Sequence, residues 1–367
     1  MSATYGVSEY SYDRAPLMVY WEITRACDLA CVHCRAEAVH NRHPLELNSD
    51  ECDDLLQSIA SFGGQRRPHL VITGGDPLRR PDLIALIHRG RQLGLGVSTT
   101  PAGTPRFTSD VVDRLKSAGL STLALSLDGS SAEHHDAFRG VSGSFTWTLR
   151  IARETVRKGL PLQVNTMVTA STLSDLSAIF EVVRDLGVSR WSLFFLVTTG
   201  RGKTLGQITP ADCRELTDWI AHLQESGAAA FPIKTTEAPH VRRHYYERQR
   251  SSGQSEEEIC ASRAAYGFGV RDGNGIVFVS HTGDVFPSGF LPIRAGNVRE
   301  TPLSHIYRDA PLMKQLRTPN AFTGACGRCV ARTICGGSRA RAYAATGDPL
   351  ATDPLCPYVT DATSLEN

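Results

Sequence analysis

Nowhere in this chain do about 18 apolar residues run together, and the first stretch, Met1 to Arg14, is polar and has no apolar centre of the signal-peptide kind. These absences predict a cytoplasmic protein that does not engage a membrane. An excess of either charge is also missing. With 39 Lys and Arg against 38 Asp and Glu, the formal charge is +1, so no global field draws the chain to nucleic acid. Any recognition of anions has to be local. Internal repeats and low-complexity tracts are absent, and an apolar content of 41% excludes the disordered classes. The length of 367 residues allows one large domain and an appended smaller one.

Cysteine, by contrast, is plentiful, with 10 in the chain. In a cytoplasmic protein these are metal ligands or buried thiols sooner than disulfides. Cys52, Cys213 and Cys260 are scattered, and the others form two clusters. The first reads Cys27-Asp-Leu-Ala-Cys31-Val-His-Cys34. It supplies three thiolates where a closed metal site wants four. A [4Fe-4S] cluster takes one Cys per iron, so a triplet leaves one iron open to an outside ligand. A zinc knuckle completed by His33 or His40 is the alternative that the residues allow.

From residue 17 to about 235, apolar strand-like runs alternate with helix-period segments, the pattern of a parallel sheet with crossover helices. The runs are Leu17 to Thr24, His69 to Thr73, Leu95 to Thr99, Thr122 to Asp128, Leu162 to Val168 and Trp191 to Val197. Asn48 and Glu51 form a capping-box pattern ahead of Leu55, Leu56 and Ile59, and Gly63-Gly64 ends that helix. Pro81 opens another helix, and Val111, Leu115 and Ala118 repeat at helical spacing. Six βα units predict an α/β fold, a partial (βα)6 TIM-like barrel whose active site gathers at the C-terminal ends of the strands. The expected division is an extension over 1–16, the barrel over 17–235, a linker region over 236–258 and a cluster domain over 259–367. Within the last, Gly275 to Pro287 predicts a β-hairpin turning at Thr282-Gly283-Asp284.

The second strand ends in Thr73-Gly74-Gly75-Asp76-Pro77, where two glycines allow close backbone approach to a ligand and Asp76 can accept from an ammonium group. The fourth ends in Ser126-Leu127-Asp128-Gly129, followed by His135-Asp136-x-x-Arg139-Gly140, in which His135 is expected to be structural. Near the C-terminus stand Cys326, Cys329, Cys335 and Cys356, four thiolates that can close a site on zinc or on a second [4Fe-4S] cluster.

The triplet after the first strand, with Gly-Gly-Asp-Pro about 40 residues later at the end of the next, resembles the radical S-adenosylmethionine (SAM) superfamily. The resemblance implies that Cys27, Cys31 and Cys34 hold a catalytic [4Fe-4S] cluster whose open iron is chelated by SAM. Reductive cleavage of SAM then gives a 5'-deoxyadenosyl radical. It further implies that Gly74, Gly75 and Asp76 bind the methionyl amine, that Ser126, Asp128 and Asn165 contact SAM or substrate, and that a flavodoxin- or ferredoxin-type protein donates electrons.

The C-terminal cysteines resemble the SPASM auxiliary-cluster domain, with departures. Ser288 and Arg339 stand where the full domain has two further cysteines, which implies one auxiliary [4Fe-4S] cluster and leaves Cys260 as a structural thiol. This reduced arrangement is most similar to the alternative haem and haem d1 synthesis branch, whose members modify tetrapyrrole propionates. On that basis Arg201, Arg242, Arg243, Arg339 and Arg341 are candidate carboxylate binders. His240 and His244, four apart on one helix face, are candidates for contact with haem iron. The rival readings are a maturase of a ribosomal peptide or of a mycofactocin-type precursor, weakened because only about 16 residues precede the first strand, and a non-catalytic iron-sulfur scaffold.

Overall fold

A computed structural model describes residues 12–63 and 67–359. The extension over 1–16 therefore lies mostly outside the described residues, as does Gly64. Seven parallel strands follow one another in the sheet: β1 (Met18–Glu22), β2 (His69–Thr73), β3 (Gly96–Thr99), β4 (Thr122–Ser126), β5 (Leu162–Val168), β6 (Arg190–Phe195) and β7 (Ile233–Thr236). All six expected strands are present. The seventh, β7, is too short to stand out in the sequence and extends the sheet past β6.

Helices α1 (Ser49–Ala60), α2 (Leu83–Gln92), α3 (Ser109–Ser117), α4 (Ala132–Arg139), α5 (Ser144–Arg157), α6 (Leu176–Asp185) and α7 (Pro210–Glu225) connect these strands. The sequence dictates where they start. At α1, Asn48 Oδ1 accepts from Glu51 N at 3.0 Å while Glu51 Oε2 accepts from Asn48 N at 2.8 Å, the reciprocal capping box. Thr209 and Asp212 form the same device at α7, with Pro210 in its first turn.

Side chains alternate between the two faces along each strand. Trp21, Ile72, Val97, Leu125, Val164 and Leu193 point to one face, where they join Leu56, Ile87, Leu115, Ile151, Ile179 and Ile220 of the helices in one continuous core. Helices on a single face make an open barrel and not a doubly wound sheet. The opposite row is largely polar: Tyr20, Glu22, Thr73, Ser98, Ser126, Gln163, Asn165 and Ser192. A parallel strand buried on both faces would be apolar on both, so this row marks an interior built for a ligand.

Beyond β7, the 236–258 stretch is not a loose linker: it carries α8 (His240–Ser251). Strands β8 (Arg271–Asp272), β9 (Gly275–Val279), β10 (Asp284–Phe286) and β11 (Gly296–Asn297) follow. The expected hairpin is β9 and β10, paired antiparallel through Val285 to Val279 and Phe286 to Phe278. Its placement is the new element. Strand β9 runs parallel to β1, Met18 opposite Ile276 and Tyr20 opposite Phe278, so the C-terminal region completes the barrel sheet on its first edge. Among the described residues, no helix is long and apolar enough to cross a membrane.

Candidate active site

The loop carrying Cys27, Cys31 and Cys34 leaves the end of β1 and is clamped from three sides. On the first side, Gly75 N donates to Thr24 O and Asp76 N to Ala26 O, both at 2.7 Å. A Cβ on Gly74 would come within 2.6 Å of Thr24 O, and one on Gly75 within 2.5 Å of Arg25 O. The close approach expected of the two glycines is thus to the chain's own cysteine loop, and it excludes any side chain there. On the second side, the last carbonyls of α4 lack intrahelical donors and accept from the loop, Arg139 O from Ala30 N at 3.2 Å and Phe138 O from Val32 N at 3.1 Å. On the third side, Arg201 N donates to Cys34 O at 3.1 Å and Arg201 Nε to Cys31 O at 2.9 Å.

Each sulfur accepts a hydrogen bond: Cys27 from Leu29 N at 3.3 Å, Cys34 from Ala38 N at 3.4 Å and Cys31 from Arg139 Nη1 at 3.6 Å. That is the environment of a bound thiolate. Burial first, then Asp76 and the other two cysteines, push a free thiol at Cys27 up to about 12, so a protonated Cys27 is no nucleophile. Several buried polar atoms around the loop lack partners: Asp76 Oδ2, Arg139 Nε, Arg201 Nη2, Arg25 Nε and His33 Nδ1. Such a concentration calls for a bound group, and three thiols with unpaired guanidinium nitrogens and a carboxylate oxygen around them fit an iron-sulfur cluster with a zwitterionic ligand. The zinc alternative fits poorly, since His33 stacks on Phe138 at 4.6 Å and His40 lies exposed near Asp28.

Asp76 is fully buried, and its Oδ1 accepts from Leu78 N at 3.0 Å and from Ala102 N at 3.2 Å. Its Oδ2 is free for an ammonium donor. Burial pushes the carboxyl up to about 6 against those two N–H groups. Ser126 and Asn165 are register partners on β4 and β5 and face the polar interior. Asn165 Oδ1 accepts from Gln163 Nε2 at 2.8 Å, which leaves its amide N–H groups to donate.

Asp128 differs from the expected role. Its Oδ2 is ion-paired with Arg139 and its Oδ1 accepts from Met167 N at 2.6 Å. With both oxygens engaged, it positions Arg139 against Cys31 and does not reach out to a ligand. His135 is structural as expected, its Nδ1 accepting from Asp128 N at 3.1 Å. Arg139, the residue that reaches the sulfur, carries a role that the His-Asp-x-x-Arg-Gly run did not disclose.

The second set of cysteines lines one cavity of about 330 Å³, together with Arg243, His240, Gly336, Gly337, Asp353 and Tyr358. Cys326 accepts from Arg339 Nη2 at 3.3 Å and from Asp353 N at 3.4 Å, and Cys335 accepts from Gly337 N at 3.4 Å. Gly337, at φ +66, would bring a Cβ within 3.1 Å of Cys326 Sγ. Four thiols around one cavity fit a cluster with no open iron. Cys52, Cys213 and Cys260 are buried and stand apart from this lining. Of the two positions where a full SPASM domain has cysteine, Ser288 is buried with its Oγ accepting from Phe290 N at 3.2 Å, and Arg339 is wholly buried.

The candidate carboxylate binders are corrected by their own hydrogen bonds. Arg339 donates to Gly337 O, Pro349 O, Ala351 O and Cys326. Arg341 spends its donors on Leu196 O, Glu237 O and both oxygens of Asp353, the last at 3.0 and 3.1 Å. Arg201 braces the cysteine loop with only Nη2 spare, and Arg242 donates to Val270 O. Arg243 pairs with Glu247 at 2.6 Å, touches Cys329 and lies 3.8 Å over the Tyr358 ring. Arg201, Arg243 and Arg339 reach the cysteine segments, and every guanidinium nitrogen of Arg339 and Arg341 is engaged, whereas Arg201 keeps Nη2 spare. His240 is corrected too, since it is 2% exposed with Nε2 on Cys213 Sγ at 3.0 Å.

Comparison with known proteins agrees with this geometry. The radical SAM superfamily model matches residues 21–183. An AdoMet-dependent heme synthase of Methanosarcina barkeri is 39% identical over 94% of this chain and 97% of its own length. A pre-heme d1 synthase of Dinoroseobacter shibae is 31% identical over 94% of this chain and 87% of its own. Among solved structures, Streptococcus suis SuiB superposes with a TM-score of 0.73 at 20% identity, covering 94% of this chain and 77% of that one, which speaks to the fold. The chain belongs to the radical SAM superfamily, whose enzymes work with a [4Fe-4S] cluster and S-adenosylmethionine.

Proposed function

We propose that this enzyme oxidatively decarboxylates propionate side chains of an iron coproporphyrin to vinyl groups, a reaction of haem synthesis. The carrying observation is the end-to-end similarity to an AdoMet-dependent heme synthase, 39% identical and covered over 97% of its length. The presence of a second, four-thiol cavity supports it.

Cys27, Cys31 and Cys34 would hold the catalytic cluster, and Cys326, Cys329, Cys335 and Cys356 one auxiliary cluster, with barrel and cluster regions divided at about 235 and 259. When bound, the catalytic cluster and SAM supply a carbon radical able to abstract a hydrogen atom. The chain's own residues prepare for it. Asp76 Oδ2 receives the ammonium of SAM, while Ser126 and the Asn165 amide offer hydrogen bonds from the barrel wall. Arg139, fixed by Asp128, and Arg201 place cationic donors on the cysteine loop, where a bound cluster's negative charge lowers the cost of burying them. Loss of a hydrogen atom from the propionate β-carbon and of carbon dioxide leaves the substrate with one electron to give up, and the four-thiol site is the place we assign to its acceptor. A flavodoxin- or ferredoxin-type protein would reduce the enzyme from outside.

Anaerobic turnover of the reconstituted protein with SAM, dithionite and Fe-coproporphyrin III tests this. Loss of one or two formic-acid equivalents from the porphyrin, matched by 5'-deoxyadenosine, is expected. SAM cleavage with an unchanged porphyrin would overturn the substrate and favour a peptide.

A further inference from the structure

At the mouth of the barrel, the C-terminal hairpin brings one imidazole against the first strand. His281, in the β9–β10 turn, donates from Nδ1 to Glu22 Oε1 at 2.9 Å. Glu22 closes β1 and is 3% exposed, and its Oε2 accepts from Arg35 Nη2 at 2.9 Å. A carboxylate at Glu22 is an acceptor, so in the neutral imidazole the proton of His281 sits on Nδ1 and Nε2 carries the lone pair. That Nε2 has no partner among the described residues and is not sealed from solvent. An imidazole backed by a buried carboxylate, with its other nitrogen open, is the arrangement of a metal ligand.

Neighbouring imidazoles do not share it. His43 meets His281 edge to face at 5.4 Å, but its Nδ1 accepts from Leu45 N at 3.2 Å, which puts its proton on Nε2. His33 is stacked and buried, and His240 is committed to Cys213. Beside His281, Phe278, one residue before β9 ends, is 4% exposed, with the Arg35 guanidinium 4.5 Å over its ring and Gly289 packed against both. Arg35 directly follows Cys34, so the path Cys34–Arg35–Glu22–His281 ties this imidazole to the catalytic loop through two hydrogen bonds.

We infer that His281 Nε2 is an axial ligand to the iron of the tetrapyrrole substrate, displacing a water from the metal and setting the macrocycle at the barrel mouth. The inference rests on the proposed haem-synthesis reading and adds to it the residue that selects an iron-bearing substrate over the metal-free ring.

The test titrates Fe-coproporphyrin III into the reconstituted holoenzyme without SAM, in parallel with metal-free coproporphyrin III and with the turnover assay. The iron porphyrin is expected to bind at least tenfold more tightly and to shift its Soret band. H281Q, which keeps a donor towards Glu22 but has no imidazole, should lose both effects, while H43Q keeps them. Pulsed electron paramagnetic resonance of the ferric complex on enzyme labelled with 15N-histidine reads the ligand without any substitution, and should show a directly bound histidine nitrogen. Turnover of the iron porphyrin with no histidine nitrogen on the metal, or with H281Q spectra equal to wild type, would sink the inference and leave the reaction standing. Failure of the wild type either to bind or to turn over the iron porphyrin would sink both.

Discussion

At the scale of single residues, the proposed assignment gives the two thiol sites different labour. On that assignment Cys31→Ala removes a thiolate from the set that leaves an iron open, so it should abolish 5'-deoxyadenosine formation. Cys329→Ala leaves that set whole and should spare SAM cleavage while depressing porphyrin product. Equal loss of both activities in the two variants would contradict the division. Asp76 allows a finer test. Its Oδ1 holds the backbone of Leu78 and Ala102, and an Asn side chain can keep that role, but its Oδ2 has no partner. A hydrogen bond from a charged donor contributes about 1.5–3 kcal/mol. Asp76→Asn should therefore weaken equilibrium SAM binding roughly tenfold or more at unchanged iron content, and unchanged affinity would remove Asp76 from the SAM site. The same scale explains why the arginine candidates misled. Composition shows a cation but not what has consumed its donors, and Arg339 and Arg341 are both fully buried and fully engaged.

At the scale of elements, the glycines at the end of β2 are a docking surface for the cysteine loop. Gly75→Ala would set a methyl within 2.5 Å of Arg25 O and 2.6 Å of Ala26 O, and neither carbonyl can retreat without releasing the bonds that hold the loop. Overpacking of this kind costs about 1–3 kcal/mol. The variant should unfold at lower denaturant and carry less iron at the catalytic site, and wild-type values for both would show that the loop is held elsewhere. Strand β2 also contains a pH-sensitive group. His69 Nε2 pairs with Ser98 Oγ at 2.7 Å, and burial first, then Arg190 and Arg91, lower its pKa from 6.5 to about 4. A lowered histidine leaves the unfolded chain binding more protons, so this contribution is complete above pH 6.5 and fades as pH falls towards 4. By pH 5 the loss is about 2 kcal/mol. Urea titrations at pH 7.5 and 5 should show a smaller drop for His69→Gln than for wild type, whereas parallel drops would mean that His69 is not the group responsible.

At the scale of the whole molecule, the C-terminal region is part of the barrel and not a passenger. Strand β9 supplies the hydrogen-bonding partner of β1, Arg341 reaches Leu196 O at the end of β6 and Glu237 O just past β7, and Ser338 Oγ bonds the Glu237 carboxylate. A chain ending at Thr236 would expose the β1 edge, and exposed edges recruit other chains. It should emerge from size-exclusion chromatography as aggregate, and a stable monomer would show that the barrel is complete without the hairpin.

The sequence by itself determined the six strands, the capping of α1, the two cysteine sets and the carboxylate at Asp76, because each is written in local order: period, cap chemistry and spacing act between residues close along the chain. Only the tertiary structure decided that Gly74 and Gly75 face the cysteine loop, that Asp128 works through Arg139, that Arg201, Arg243 and Arg339 brace thiol sites, and that Glu22 and His281 meet. The last pair is separated by 259 positions. The physical reason is the same in each case. The partner of a buried polar group is chosen by whichever donor or acceptor the packed elements bring within about 3 Å of it, and no local pattern records that choice.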